Sequence, residues 1–368
     1  MKWTYFLEHD DASIFAGASV GVCSKTLSLN LLPKFKDAEI TVQFASHSEL
    51  LNNERPLGGV VVNNSQLLLP LSALVNEVQV LKIVASKGGN TYKNYVALLP
   101  SPDLPKVCIV VGSPRSGTTV VGNMIQQAYG TKAHGESHLA ELFSGLISHA
   151  DEYLTNSQAA KNKGTMVWEM PSLLVKAQLI KQLRDIYITY YGNEVVVDKT
   201  PGIPMLKSLP LLISAFPSAK VVYCQRRGIE NVASRLRKFP NAKFDVHCKQ
   251  WTQTLKIWKR MKTQLSTVLG SSSWCLEVEQ YELATAPSKV TDEIGFFLQV
   301  GKGAINRMFR YQERKAPQVT SGKPSDVTSL NAVNWTEQQK AYFIETCGEL
   351  MKEQGYSLDE SYYFNEAQ

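Results

Sequence analysis

The sequence predicts an α/β fold of the P-loop NTPase type, a parallel sheet flanked by helices, preceded by a small β-rich, sandwich-like region. Three observations carry this. Beyond Lys106, apolar strand-length runs alternate with amphipathic helical stretches, the pattern of a parallel sheet with crossover helices. Before it, short β-rich runs recur between turn signals. At the junction, Val107-Cys108-Ile109-Val110-Val111 reads as a strand covered on both faces, and it enters a glycine-bracketed loop and then a helix.

In the first 104 residues the β-rich runs fall at 26–31, 39–44, 59–62, 78–84 and 95–99, several with period two. Asn52-Asn53, Asn63-Asn64 and Gly88-Gly89-Asn90 mark turns between them, a spacing that suits a small sandwich or barrel. Residues 100–105, Pro-Ser-Pro-Asp-Leu-Pro, read as a linker. The expected division is therefore an accessory β-rich domain at 1–104 and an α/β domain at 105–368, in keeping with roughly 150 residues per domain.

The loop after the first parallel strand is Gly112-Ser113-Pro114-Arg115-Ser116-Gly117-Thr118-Thr119, and helix-compatible sequence follows to Gly130. Backbone N–H groups at such a helix start point at bound anions. The glycines have the spacing of the G-x-x-x-x-G-K-[ST] nucleotide loop, but Thr118 stands where the lysine belongs. Arg115 is the only cation in the loop. A triphosphate with its magnesium would be poorly neutralised; a smaller anionic group fits better.

Two later strands end in polar residues. A strand at 194–201 closes on Asp198-Lys199-Thr200-Pro201, and another at 219–226 closes on Arg226. The helix after Arg226 has apolar residues at 229, 232, 233 and 236, with Ser234 eight residues beyond the arginine. An arginine offers a planar, bidentate donor suited to a phosphate dianion. Taken alone, Arg235, Arg237 and Lys238 equally suit a solvated basic helix. A further strand is expected at 274–283 and a closing amphipathic helix at 336–355.

Pro114-Arg115-Ser116-Gly117-Thr118-Thr119 resembles the 5′-phosphosulfate loop of sulfotransferases, which use 3′-phosphoadenosine 5′-phosphosulfate (PAPS). The resemblance runs from Lys106 into the C-terminal region and does not reach the N-terminal part. It implies that Arg115, Ser116, Gly117, Thr118 and Thr119 bind the phosphosulfate, and that Arg226 and Ser234 hold the 3′-phosphate. Arg227-Gly228 departs from the family's usual Asn/Asp-Pro pair, which leaves the choice between Arg226 and Arg227 open.

Gly135-Glu136 and Asp198-Lys199-Thr200-Pro201 resemble the glycan, tyrosylprotein and bacterial branch of that family. The resemblance implies Glu136 as general base, with Lys199 and Arg115 stabilising the sulfate and the leaving oxygen. His134 and His138 are rivals for the base. On chemistry alone, Glu136 also suits a helix-dipole partner, and Lys199 an exposed turn residue. Glu169 is a minor candidate for the acceptor pocket, and the basic stretch 314–324 is a candidate lid. The expected reaction is sulfuryl transfer from PAPS to a hydroxyl of a small metabolite or saccharide, with no metal. The rivals are a P-loop kinase or NTPase and a non-catalytic nucleotide-binding module.

Composition bounds the rest. Of 368 residues, 44% are hydrophobic and 20% charged, ample for packed cores. A net charge of +6 suits an anionic co-substrate and is too small to argue for nucleic acid. The six cysteines are scattered without a C-x-x-C pair, as in a reducing compartment. No signal peptide and no apolar run of membrane-spanning length is evident. The expectation is a cytoplasmic protein without a membrane or nucleic-acid partner, for which a homodimer is permitted.

Overall fold

A computed structural model of the chain describes residues 2–364 except 11, 46–54, 64, 73, 102, 160–163 and 315–324. The N-terminal strands are β1 (Trp3–His9), β2 (Phe15–Ala16), β3 (Val20–Cys23), β4 (Thr26–Leu31), β5 (Glu39–Phe44), β6 (Val61–Asn63), β7 (Gln66–Pro70), β8 (Gln79–Lys87) and β9 (Asn90–Pro100). Then follow β10 (Lys106–Gly112), α1 (Thr118–Tyr129), α2 (Leu139–Ala159), α3 (Met166–Glu169), α4 (Ser172–Tyr191) and β11 (Val195–Lys199). The chain continues through α5 (Ile203–Lys207), α6 (Leu209–Ala215), β12 (Lys220–Gln225), α7 (Gly228–Lys238), α8 (Phe244–Leu269) and β13 (Cys275–Glu279). It closes with α9 (Gln280–Thr285), α10 (Pro287–Phe297), α11 (Lys302–Arg314) and α12 (Glu337–Glu353).

Among the described residues the strands form three sheets: β3-β1-β9-β8-β5, β2-β4-β7-β6 and the parallel sheet β11-β10-β12-β13. Alternation along β10 explains its unbroken apolar run. Val107, Ile109 and Val111 face a core shared with α2, α4, α5, α6 and α8, while Cys108 and Val110 face α1, α10 and α11. Both faces are covered, so both sets of positions are apolar.

The five-stranded antiparallel sheet is likewise covered on both sides. Trp3, Leu81, Ile83, Val96 and Leu98 pack against the four-stranded sheet. Phe6, Val20, Val80, Ala97 and Leu99 belong to the same apolar cluster as the α/β region. The β-rich region thus lies as a sandwich on the helices of the parallel sheet. From α4, the buried Arg184 clamps this junction: it donates to the Ala215 carbonyl (2.9 Å), the Pro100 carbonyl (3.0 Å) and Ser101 Oγ (2.9 Å). Burial pulls the pKa of that guanidinium down to about 10.

Three expectations shift. The first strand, Trp3–His9, pairs with both β3 and β9 although the sequence carried no simple alternation there. It is a central strand with apolar neighbours on both faces, which hides period two. β9 continues through Pro100, opposite Trp3, so the linker is shorter than expected. The strand expected at 274–283 stops at Glu279, where the carboxylate turns inward and α9 begins.

Strand order places the site. From β10 the chain goes to β11 on one side and then crosses to β12 on the other. The carboxyl ends of β10 and β12 therefore flank a topological switch point, where open parallel sheets leave a crevice for ligands.

Candidate active site

Gly112 ends β10 where it touches β12. A Cβ there would lie 2.2 Å from the Cys224 carbonyl oxygen, so a side chain at 112 would push the two strand ends apart. The loop then turns through Arg115, a non-glycine residue at φ 77°, and Gly117 at φ 87°. Such a backbone is costly for arginine and persists where its surroundings over-determine it. Here they do. Asn231 on α7 donates to the Pro114 carbonyl (3.1 Å) and to Ser116 Oγ (3.0 Å) and accepts from Ser113 Oγ (3.4 Å). Arg226 donates to the Arg115 carbonyl (3.3 Å). Gly117 caps α1 without a side chain, so the first-turn N–H groups of Thr118 and Thr119 face the crevice unscreened by a capping oxygen.

The two basic segments meet in one cluster. Arg115 Nε donates to the buried Ser234 Oγ at 3.1 Å, which joins the loop after β10 to the helix after β12. Arg226 is 5% exposed, and its Nε is buried with no hydrogen-bond partner among the described residues. It borders a cavity of about 10 Å³ lined in part by Ser113, Ser116 and Tyr356, room for about one water. Burial lowers the pKa of both Arg115 and Arg226, and the neighbouring Arg237 adds repulsion at Arg115. The buried Arg226, with a donor unmet among the described residues, and the half-buried Arg115 beside it fit a nucleotide with an anionic group at each end, as the loop sequence implies.

Arg227 is spent elsewhere. It pairs with Glu230 (Nε–Oε2 2.8 Å) and donates to the carbonyls of Ser357, Asp359, Ser361 and Thr328, fastening the C-terminal segment. Arg226, not Arg227, therefore presents its guanidinium to the loop.

At the neighbouring strand end, Lys199 Nζ lies 4.0 Å from Glu136 Oε1. The Lys199 stem crosses α1 at Gly122, where a Cβ would meet its Cγ at 2.8 Å and its Cβ at 2.9 Å. Asp198 is fully buried and accepts from Ser137 Oγ (2.6 Å), Tyr187 Oη (2.5 Å) and Thr200 Oγ1 (2.7 Å). The Ser137 N–H donates to Thr200 Oγ1 (3.0 Å). Asp198 thus ties the segment carrying Glu136 to the strand carrying Lys199.

The histidines divide. His134 packs against Tyr190 and Tyr191, with ring centroids 5.1 and 4.8 Å away. His138 meets Glu141 at 3.0 Å and Glu136 at 3.4 Å; its hydrogen bond to Glu141 and both carboxylates raise its pKa and favour the cation. The Glu169 side chain and residues 315–324 of the expected lid lie outside the described residues. Sequence reasoning did not find Asn231, Gly122, or the Ser137 and Tyr187 partners of Asp198. A polar residue inside the amphipathic helix after Arg226 and a glycine inside the helix after the loop were the available signals.

Among the described residues no group of three or more His, Cys, Asp or Glu side chains gathers to hold a metal ion, and no helix is long and apolar enough to cross a membrane.

The family model of the sulfotransferase family matches residues 108–301, more than half of the chain. The chain belongs to the sulfotransferase family, whose enzymes transfer a sulfuryl group to an acceptor. Similar solved structures include the sulfotransferase domain of the Synechococcus PCC 7002 olefin synthase, at 19% identity and TM-score 0.38, covering 68% of this chain and 97% of that one. The sulfotransferase domain from the curacin biosynthetic pathway matches at 15% identity and TM-score 0.41, covering 68% and 98%. Mouse sulfotransferase SULT7A1 complexed with PAP matches at 13% identity and TM-score 0.41, covering 67% and 84%. No curated protein sequence matches the chain.

Proposed function

We propose that this sulfotransferase takes its sulfuryl group from PAPS and passes it to a hydroxyl of a small metabolite or saccharide, with Glu136 as general base. One observation carries this reading: the Arg115 loop and the Arg226–Ser234 strand end form a single basic cluster at the switch point, beside the Lys199–Glu136 pair. When bound, PAPS supplies an activated sulfuryl group on a phosphosulfate anhydride.

The protein's part is positioning and charge, as in phosphoryl transfer through a loose transition state. Arg115, Ser116 and the N–H groups of Gly117, Thr118 and Thr119 hold the 5′ end. Arg226, held through its Trp251-bound carbonyl (3.0 Å), and Ser234 hold the 3′-phosphate. Lys199, fixed over Gly122, places its ammonium for the leaving oxygen, and Arg115 shares that charge. Glu136 Oε accepts the proton of the acceptor hydroxyl. His138 and Lys199 flank that carboxylate and orient it. No metal is needed in this scheme, because the side chains supply the positive charge.

We assign the protein to a reducing, cytoplasmic compartment on its six free thiols, four of them buried. Residues 1–104 act as an accessory β-rich domain bracing the α/β domain at 105–368. The test is Glu136→Gln, assayed for transfer of radiolabelled sulfate from PAPS to mixed acceptors. Turnover is expected to fall about 10²–10⁴-fold, the usual worth of a positioned base, while affinity for 3′-phosphoadenosine 5′-phosphate (PAP) is unchanged. Full activity in the variant removes Glu136 from the mechanism.

A further inference from the structure

Behind the phosphate-binding cluster lies an acidic group that the proposed mechanism does not use. Glu279, the last residue of β13, stands opposite Gln225 in the strand register, next to Arg226 at the end of β12. Its Oε2 accepts from Tyr356 Oη (2.5 Å) and its Oε1 from Tyr362 Oη (2.6 Å). Tyr356 and Gln225 also wall the cavity of about 10 Å³ that Arg226 borders with Ser113 and Ser116. One phenol thus spans from the Glu279 carboxylate to the cavity beside the phosphate-binding arginine.

Two buried groups of opposite charge lie here, and neither forms an ion pair among the described residues. The Arg226 side chain donates to the Arg115 carbonyl, a neutral acceptor. Two carboxylates act on its charge, Glu230 and Glu279. Glu230 is committed to Arg227, which donates to it from both Nε and Nη2. Glu279 is left to offset Arg226, and a buried charge without such compensation is costly. The other titratable groups around Glu279 are Tyr223 and Cys224 on β12, Tyr281 and Glu282 on α9, and Tyr356, Tyr362 and Tyr363 after α12. Glu277, two residues back on the same face of β13, pairs with Lys262 at 3.0 Å. Burial raises the pKa of Tyr223, Cys224, Tyr356, Tyr362 and Tyr363, which keeps them neutral. Desolvation lifts Glu279 from 4.5 to about 7, so its charge changes near neutral pH.

We infer that Glu279 is a positioning residue of the nucleotide site: ionised, it offsets Arg226 before the nucleotide binds, and it takes up a proton from solvent when a phosphate dianion reaches that arginine. The inference rests on the reading of Arg226 as the 3′-phosphate ligand. The arriving dianion cancels the cation that favoured ionised Glu279 and adds negative charge nearby, so the neutral acid gains. The proton has a place, because a phenol accepts as well as donates: Tyr356 Oη can take the hydrogen bond of a protonated Oε2. Binding and protonation are then linked, and nucleotide affinity falls as pH rises through the Glu279 titration.

Calorimetric titration with PAP tests this in the parent and in Glu279→Gln, with two buffers of unequal ionisation enthalpy to count protons. At about pH 6 the two proteins should bind alike within about twofold, since protonated glutamate and glutamine carry the same charge. At about pH 8.5 the parent should bind about fivefold more weakly than the variant, and at about pH 7.5 it should take up about half a proton more. The phosphates of PAP titrate in both experiments and drop out of the comparison. Tyr356→Phe removes a hydrogen bond from the ionised carboxylate and should move the fall in affinity to higher pH. Equal proton counts with parallel pH profiles in the parent and Glu279→Gln, or a profile that Tyr356→Phe leaves in place, overturn the inference. A Glu279→Gln protein weakened equally at every pH marks a merely structural role and overturns it as well. No PAP binding by the parent at any pH overturns instead the PAPS reading beneath it.

Discussion

At position 122 the absence of a side chain decides where a cation can stand. The Lys199 stem lies against α1 there, closer than any Cβ would permit. Gly122→Ala should improve the intrinsic helix propensity of α1 by about 1 kcal/mol, so stability is not expected to fall by that route. Displacing the ammonium should lower kcat by about 10-fold to 10²-fold with PAP affinity retained. A kcat unchanged in steady-state assays would show that Lys199 does not act from this position. Arg115 and Lys199 were legible in the sequence because each stands at the end of a strand where helix starts and loops gather. Asn231 and Gly122 were not, because their roles are contacts between segments that lie far apart in the chain. The choice between Arg226 and Arg227 also needed three dimensions: adjacent residues leave the same strand, and only the C-terminal carbonyls wrapped around Arg227 separate them.

Among the elements, the end of β13 holds a buried carboxylate. Glu279 is buried and accepts from Tyr356 Oη (2.5 Å) and Tyr362 Oη (2.6 Å), both from the segment after α12. Tyr362 Oη also accepts the Arg227 N–H at 2.7 Å, so the carboxylate, the C-terminal segment and the β12 end form one unit. Desolvation raises the Glu279 pKa from 4.5 to about 7, with the tyrosine hydrogen bonds opposing. The folded state therefore binds more protons than the unfolded one between those values, and stability falls as pH rises through that window. The loss from this group amounts to about 3 kcal/mol and is complete above about pH 7. Urea unfolding at about pH 5 and about pH 8 should show a smaller drop in Glu279→Gln than in the parent. Equal drops in both would show that Glu279 does not titrate across this range. Sequence reading placed a strand here and missed this role, since the two tyrosines come from the last turns of the chain.

For the whole molecule, the five-stranded sheet is the hinge of the architecture. The alternation of strands and helices after Lys106 made the parallel sheet legible, because its apolar runs are local. The sandwich was legible only in part: β1, β2, β3 and β7 were not anticipated, since β1 is covered on both faces and loses the period-two signature, β2 and β3 are only two and four residues long, and the three consecutive leucines of β7 hide its alternating burial. Nor did the sequence show that Phe6, Val20, Val80, Ala97 and Leu99 share a core with α4, α6 and α8. Residues 105–368 expressed alone would expose that face and leave Arg184 without Pro100 and Ser101. This fragment is expected to aggregate or to lose a cooperative thermal transition. A soluble, cooperatively folding fragment that binds PAP would show that the two regions are energetically separate.

The most direct measurement is calorimetric titration of PAP into the intact chain, without magnesium, beside the single variants Arg115→Ala and Arg226→Ala. One saturable site is expected, with each variant binding at least about tenfold more weakly. No heat from the parent protein, or an affinity that neither arginine affects, would contradict a shared nucleotide site at the ends of β10 and β12.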